Sequence, residues 1–173
     1  MAKKIKKFEY ANLGLFVGKY VIAFEEKFNI ITGNNGSGKS TIISGINAVL
    51  GHEIDNAESL INKNKIATNL KLVFDDNTSA MLKLLKENDG IRKMYFINNK
   101  YTTKEEVKNY TNGLNVEIID NLGVTLDSDE LKNLVYKNKN NKNQQILVSL
   151  QKPIIDIADK VIDIEELTQC KNV

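Results

Sequence analysis

The chain has 173 residues, 42% hydrophobic and 27% charged, enough to build the core of one folded domain. Its formal net charge of +2 demands neither nucleic acid nor membrane as a partner, although Lys3, Lys4, Lys6 and Lys7 concentrate positive charge near the start. No apolar run approaches a membrane span, and Phe8-Glu9-Tyr10 interrupts what would be the core of a signal peptide.

The single cysteine, Cys170, excludes an internal disulfide and fits a reducing cytoplasm. The lone His52 has no carboxylate or thiol company at ligand spacing and reads as a surface residue.

Taken in chain order, Ile5 to Leu13 and Lys19 to Phe24 read as strands, with Gly14 and Gly18 bracketing the turn between them. Phe28 to Thr32 is short, apolar and β-branched, the signature of a buried strand. Ser40 to Leu50 places Ile42, Ile43, Ile46, Val49 and Leu50 at helical spacing, and Gly51 closes that helix. Ile66 to Phe74, Ser79 to Leu85 and Ile91 to Ile97 follow as an antiparallel meander, separated by Asp75-Asp76-Asn77 and Glu87-Asn88-Asp89-Gly90. Thr103 and Glu106 have the spacing of a capping box for a short helix to Tyr110. Next come a strand from Val116 to Asp120, a helix from Ser128 to about Lys137, and a polar loop from Lys137 to Asn143. Gln145 to Ser149 is a strand, Pro153 to Asp159 a short helix and Lys160 to Ile164 a last strand. Strands alternating with helices at both ends predict a single α/β domain over 1–173, with a strand-rich insertion at about 66–97.

Between the buried strand and the first helix lies Gly33-Asn34-Asn35-Gly36-Ser37-Gly38-Lys39-Ser40, the pattern Gly-x-x-x-x-Gly-Lys-Ser/Thr of a Walker A loop. Gly33, Gly36 and Gly38 let the backbone curl its N–H groups around phosphates. Lys39 supplies a point charge between β- and γ-phosphates, the Ser40 hydroxyl can ligand Mg²⁺, and Thr41 sits in the first helical turn facing the α-phosphate. The preceding strand and following amphipathic helix are the context this loop requires, so the chain is expected to bind a nucleoside triphosphate.

The stretch Ile5 to Leu50, with "GNNGSGKSTIISGINAVLG" at its centre, resembles the N-terminal half of an ATPase head of the structural-maintenance-of-chromosomes (SMC) family, a branch of the ABC-type ATPases. "ESLINKN", "LKLVFDDN" and "MYFINNKYTTKEEVKNYT" are similar to segments that follow in such heads. "NQQILVSLQKPIIDIADKVIDI" looks like the closing strand, switch segment, helix and strand, with Ser149-Leu150 at the switch as SMC heads often have. The resemblance implies a P-loop NTPase fold, an ABC/SMC-head-like mixed sheet with an antiparallel β subdomain. It also implies ATP rather than GTP, and Mg²⁺ as its companion. With that guide Val116 to Asp120 reads as a degenerate Walker B strand that opens a second half over about 116–166. Asp120 then joins Ser40 as a Mg²⁺ ligand, Asn121 stands at the position of the catalytic Glu, and Asp127 falls in the D-loop.

Two departures matter. Only Thr-Asn-Gly-Leu-Asn separates Tyr110 from Val116, where the family carries coiled coils and a Leu-Ser-Gly-Gly-type signature, and no such signature occurs anywhere in the sequence. Two copies would therefore build no complete composite ATP site. At position 121 the amide has no basic lone pair, and a missing general base typically costs about 10²–10⁴-fold in rate.

The first reading is thus an ATP-binding SMC-like protein of chromosome or DNA metabolism, cytoplasmic and chromosome-associated. It acts through a partner, a full-length SMC-type head or a second copy of itself, with weak or absent hydrolysis alone. A slow ATPase of repair or recombination, RecF-like, is the second. A DNA-binding module with structural ATP, contacting phosphates through the basic N-terminus, Lys63, Lys65 and Lys71, is the third. An engineered head with a shortened middle is a fourth, although Thr111 to Asn115 is no Gly-Ser linker.

Overall fold

Two sheets organise the computed structural model, which describes residues 3–120, 127–139, 142–150 and 155–170. The antiparallel sheet contains β1 (Ile5–Ala11), β2 (Lys19–Ala23), β4 (Ala67–Phe74), β5 (Ser79–Glu87), β6 (Gly90–Ile97) and β7 (Lys100–Thr102), in the order β2-β1-β4-β5-β6-β7. The parallel sheet contains β3 (Phe28–Thr32), β8 (Val116–Ile119), β9 (Gln144–Val148) and β10 (Lys160–Asp163), in the order β10-β3-β9-β8. Helices α1 (Lys39–Val49), α2 (Lys104–Thr111) and α3 (Ser128–Lys139) complete the described elements, with a 3-10 turn at Glu58–Leu60.

Alternation explains the antiparallel sheet. In β4, Thr68, Leu70, Leu72 and Phe74 are buried while Asn69, Lys71 and Val73 face outward, the period-2 pattern of a sheet packed on one side. Four of the five β3 residues are buried, as a parallel strand covered on both faces requires. Ile31 joins the main core with Phe8, Leu70, Leu72, Leu82, Ile42 and Ile46, whereas Phe28 and Ile30 face a second cluster with Leu147. The apolar stripe of α1 thus shares one core with the inner faces of both sheets, which positions the loop at its N-terminus.

Buried amides join the sheets. Gln144, fully buried, donates through Nε2 to the carbonyls of Ile5 (2.7 Å) and Glu25 (2.8 Å), and its Oε1 accepts from Ile5 N–H (2.8 Å). Asn29, equally buried, donates to the carbonyls of Glu25 and Gln145 and accepts from Glu25 N–H at 2.7 Å. These polar residues occupy interior positions because backbone groups at the seam would otherwise be unsatisfied.

Several boundaries differ from the sequence reading. The strands of 66–97 extend the sheet begun by β1 and β2, since β1 pairs with β2 on one edge and β4 on the other. β1 ends at Ala11, two residues before the expected Leu13. Asn12 turns to φ 58°, and its side chain accepts from Gly18 N–H at 2.9 Å, closing the loop 12–18. The capping box at Thr103 and Glu106 is present. A second box opens α3: Asp127 Oδ1 accepts from Asp129 and Glu130 N–H, and Glu130 Oε2 accepts from Asp127 N–H. Helix α3 continues to Lys139, into the stretch read as loop. Pro153 and Ile154, the first two residues of the helix expected at Pro153 to Asp159, lie outside the described residues. Its remainder is a turn in which Ala158 N–H donates to the Ile155 carbonyl.

Lys3 ties the start of the chain to the β4–β5 turn and to α2. Its Nζ bonds Tyr110 Oη (2.8 Å), Thr78 Oγ1 (3.1 Å) and Asp76 (2.9 Å). Hydrogen bonds from the Thr78 hydroxyl, then from Lys3, pull the Asp76 carboxyl down to about 2. Because that value lies below the unfolded value of 3.8, the carboxylate stabilises the fold above pH ~4, and this contribution is lost as pH falls towards 2. Asp76→Asn should remove that part of the acid dependence of the melting temperature and leave the neutral-pH profile flat. Gln144→Ala should cost about 3 kcal/mol in urea unfolding, because it leaves several buried backbone groups unpaired.

Candidate functional site

The parallel registers bring four chain segments to one rim. Ile119 stands opposite Leu147, Ile31 opposite both Val148 and Ile162, and Thr32 opposite Asp163. The carboxyl ends of β8, β9, β3 and β10 are therefore level, so Asp120, Ser149, Gly33 and Ile164 leave the sheet side by side. Ligands of α/β sheets bind at this end. One strand, β9, separates β8 from β3, which puts Asp120 roughly 10 Å laterally from the loop at strand spacing.

Between β3 and α1 the backbone takes positive φ at Gly33 (146°), Gly36 (77°) and Gly38 (102°). Ser37 N–H and Oγ both donate to the Asn34 carbonyl, at 3.1 and 2.5 Å. Lys39 is 3% exposed, and its Nζ donates to the carbonyls of Gly33 (2.6 Å) and Asn34 (2.7 Å). An ammonium is costly to bury and is retained here by charge-assisted bonds to the loop itself. Gly38 is the N-cap of α1, contributes no side-chain cap, and is followed by no acidic residue in the first turn. The leading N–H groups of Lys39, Ser40 and Thr41 have no intrahelical acceptors, and the helix dipole adds positive potential at that end. An oxyanion of the right size is what this geometry accommodates.

The loop is held from outside by residues the motif did not announce. A Cβ at Gly38 would lie 2.8 Å from Phe16 Cε2, and one at Gly33 would lie 2.8 Å from Ile164 Cγ1. Phe16 belongs to an aromatic chain with Tyr10 and Tyr20, at ring distances of 5.5 and 5.4 Å, so the antiparallel sheet braces the loop directly. Burial pushes the Tyr10 hydroxyl pKa up. Glu165, just past β10, accepts from Asn34 N–H at 3.3 Å and from the Asn34 amide at 2.8 Å. Phe16 was visible in the sequence only as one aromatic in a glycine-bracketed turn, and nothing marked Glu165.

Of the expected site residues, Asn34, Asn35 and Gly36 are exposed at the loop's crest, with Ser37, Gly38, Ser40 and Thr41 half-buried below it. Asp120 is exposed at the rim, and Asn121 lies outside the described residues. A cleft of about 640 Å³ opens beyond Thr41, lined by Gly14, Leu15, Val17 and Lys63 among others. His52 is exposed. No group of three or more His, Cys, Asp or Glu that could hold a metal occurs among the described residues. A cation here would be held as Mg²⁺ usually is, by one or two protein oxygens and its phosphate partner, and Ser40 and Asp120 offer that donor set. Among the described residues no helix is long and apolar enough to cross a membrane.

A glycine-rich loop opening a helix at the carboxyl rim of a mixed α/β fold is the architecture of a P-loop ATPase head, the fold that solved SMC heads share. The chain belongs to the AAA domain family, whose sequence model matches residues 7–171. Among solved structures it is similar to an SMC head bound to the C-winged-helix domain of ScpA, with 15% identity, 92% of this chain and 93% of that one covered, and TM-score 0.75. The SMC head domain from Thermotoga maritima gives 15% identity, 92% and 94% coverage, and TM-score 0.71. A structure from work on ATP-driven dimerization and DNA-stimulated activation of SMC ATPases gives 22% identity, 80% and 98% coverage, and TM-score 0.54. No curated protein sequence matches the chain.

The packing around the loop separates two substitutions that look alike in sequence. Gly36 has open space where a Cβ would go, so Gly36→Ala carries backbone strain alone, about 1 kcal/mol. Gly38→Ala adds a collision with Phe16 and should cost about 2–3 kcal/mol in urea unfolding.

Proposed function

We propose that this chain is an ATP-binding SMC-like head that serves chromosome or DNA metabolism through a partner and hydrolyses ATP weakly or not at all by itself. The observation that carries the reading is the uncapped start of α1, facing the carboxyl rim through a loop braced by Phe16 and Ile164. The N–H groups of Gly36 to Thr41 would wrap the phosphates. Lys39 would exchange the carbonyls of Gly33 and Asn34 for β- and γ-phosphate oxygens, an exchange of one set of charge-assisted bonds for a stronger one. Ser40 and Asp120 would hold Mg²⁺, which when bound neutralises phosphate charge. The nucleoside would enter the cleft beyond Thr41, where Leu15 and Val17, 68% and 45% exposed, offer an apolar wall to a base.

The limits on turnover come from the sequence. Asn121 cannot accept a proton from an attacking water, and the chain carries no Leu-Ser-Gly-Gly-type run to close on a γ-phosphate. The partner is the natural source of that closing surface, whether a full-length SMC-type head or another copy. Relatives support partnership: one SMC head is seen bound to a ScpA domain, and another belongs to work on ATP-driven dimerization.

Titration with a fluorescent ATP analogue should show Mg²⁺-assisted binding that Lys39→Ala weakens by about 10²-fold. Phosphate release should stay at background for the wild type and equally for Asn121→Glu, because restoring a base does not supply a signature. Appreciable release that disappears in Asp120→Ala would establish the slow-ATPase reading instead.

A further inference from the structure

The outward face of the antiparallel sheet carries an ordered line of charge with no part in the nucleotide site. On β1 and β4, Lys7 stands opposite Val73 and Glu9 opposite Lys71. On β4 and β5, Lys71 stands opposite Met81 and Asn69 opposite Lys83. On β5 and β6, Lys83 stands opposite Met94 and Leu85 opposite Arg92. Each cation is thus displaced two residues from the next, on the same face. Lys7, Lys71, Lys83 and Arg92 form a diagonal across four neighbouring strands, in steps of about 7–8 Å. Beside it Val73, Met81 and Met94 form a second, apolar diagonal in the same sense. Phe96, opposite Met81, extends the apolar track to the exposed Tyr101, with the two rings 5.7 Å apart.

The charge on this face is unbalanced. Lys19 on β2 is a fifth cation, paired across the ladders with Ala11, and Glu9 is the acidic residue among these positions. The ends of the diagonal have partners, Lys7 with Glu9 at 2.5 Å and Arg92 with Glu87 at 3.4 Å. Its middle does not: among the described residues no carboxylate lies within ion-pair reach of Lys71 or Lys83, both half-buried. Two adjoining clefts share Lys71. One, of about 670 Å³, offers Lys6, Lys7, Asn77, Asn98 and Asn99; the other, of about 620 Å³, offers Val21, Met81, Lys83 and Phe96, and Glu9 lines both.

We propose that this face binds single-stranded nucleic acid, with the sugar–phosphate backbone along Lys7, Lys71, Lys83 and Arg92 and the bases against Val73, Met81, Met94 and Phe96. Regularly spaced cations beside an apolar and aromatic track match a chain that carries its charge on one edge and its flat apolar faces on the other. A duplex hides its base faces in the stack and would leave the apolar diagonal uncovered. The inference rests on the sheet face alone and is independent of the ATP reading.

The test is fluorescence anisotropy of a labelled oligothymidylate of about 20 nucleotides with the full chain, between about 50 and about 200 mM salt. Neutralising three or four phosphates predicts a slope of log K against log salt of about −2 to −3. The pair Lys71→Glu and Lys83→Glu should weaken binding at least about 10-fold and flatten the slope by about 1.4. The milder pair Lys71→Gln and Lys83→Gln should give the same flattening with an unchanged melting temperature. Phe96→Ala should weaken binding about 10-fold with no change of slope. Lys39→Ala should bind the oligonucleotide normally while losing the ATP analogue, which separates the two sites. Absent binding at low salt, or full binding by the double variants, overturns the proposal. So does equal or tighter binding of a duplex, or of an acidic amphipathic peptide, at this face.

Discussion

The level carboxyl rim depends on one constraint, the parallel register of β3 between β9 and β10. β3 is buried on both faces, so a slip of one residue would exchange the sides of Ile30 and Ile31 and expose the seam amides. Asn29 holds it to the Glu25 turn and to β9, and Phe28 N–H is held by Asp159 at 2.9 Å. Once that register is set, Gly33 must leave the sheet beside Ser149 and Ile164, with Asp120 one strand further on. The loop's curl, the burial of Lys39 and the aim of α1 all follow from where β3 stops.

Both sheets then act on that loop, by different routes. The parallel sheet supplies its start and the neighbouring acidic groups, Asp120 and, past β10, Glu165. The antiparallel sheet supplies the inner face on which α1 packs and the aromatic chain ending at Phe16, which meets Gly38. The contacts that hold the loop, together with the amide at position 121, are what support the proposal that the chain holds a nucleotide more securely than it consumes one.

Local chemistry was legible in the sequence, and distant pairing was not. Phe28 to Thr32 was readable to the residue because β-branched and apolar residues leave one interpretation. The Thr103–Glu106 box was readable because its partners lie three residues apart. The same three-residue spacing at Asp127 and Glu130 forms a second box at the start of α3. The continuity of β1 with β4 joins residues about sixty positions apart, and no local pattern announces it. The basic N-terminus looked like a free cationic arm, yet Lys3, Lys4 and Lys7 are paired with Asp76, Glu26 and Glu9. Lys71, one of several scattered lysines in the sequence, gains its meaning only from the registers that align it with Lys83. Phe16 and Glu165 reach the loop across the fold, which is why the motif disclosed the glycines and not what holds them.

The central claim is that phosphates bind at the start of α1 while the chain alone lacks the means to cleave them. A crystal structure with Mg²⁺ and a non-hydrolysable ATP analogue tests it most directly. The account predicts phosphate oxygens on the N–H groups from Gly36 to Thr41, Lys39 Nζ turned from the Gly33 and Asn34 carbonyls to the β- and γ-phosphates, and the cation on Ser40 and Asp120. A nucleotide bound elsewhere, or Lys39 still on those two carbonyls with the analogue present, would contradict it.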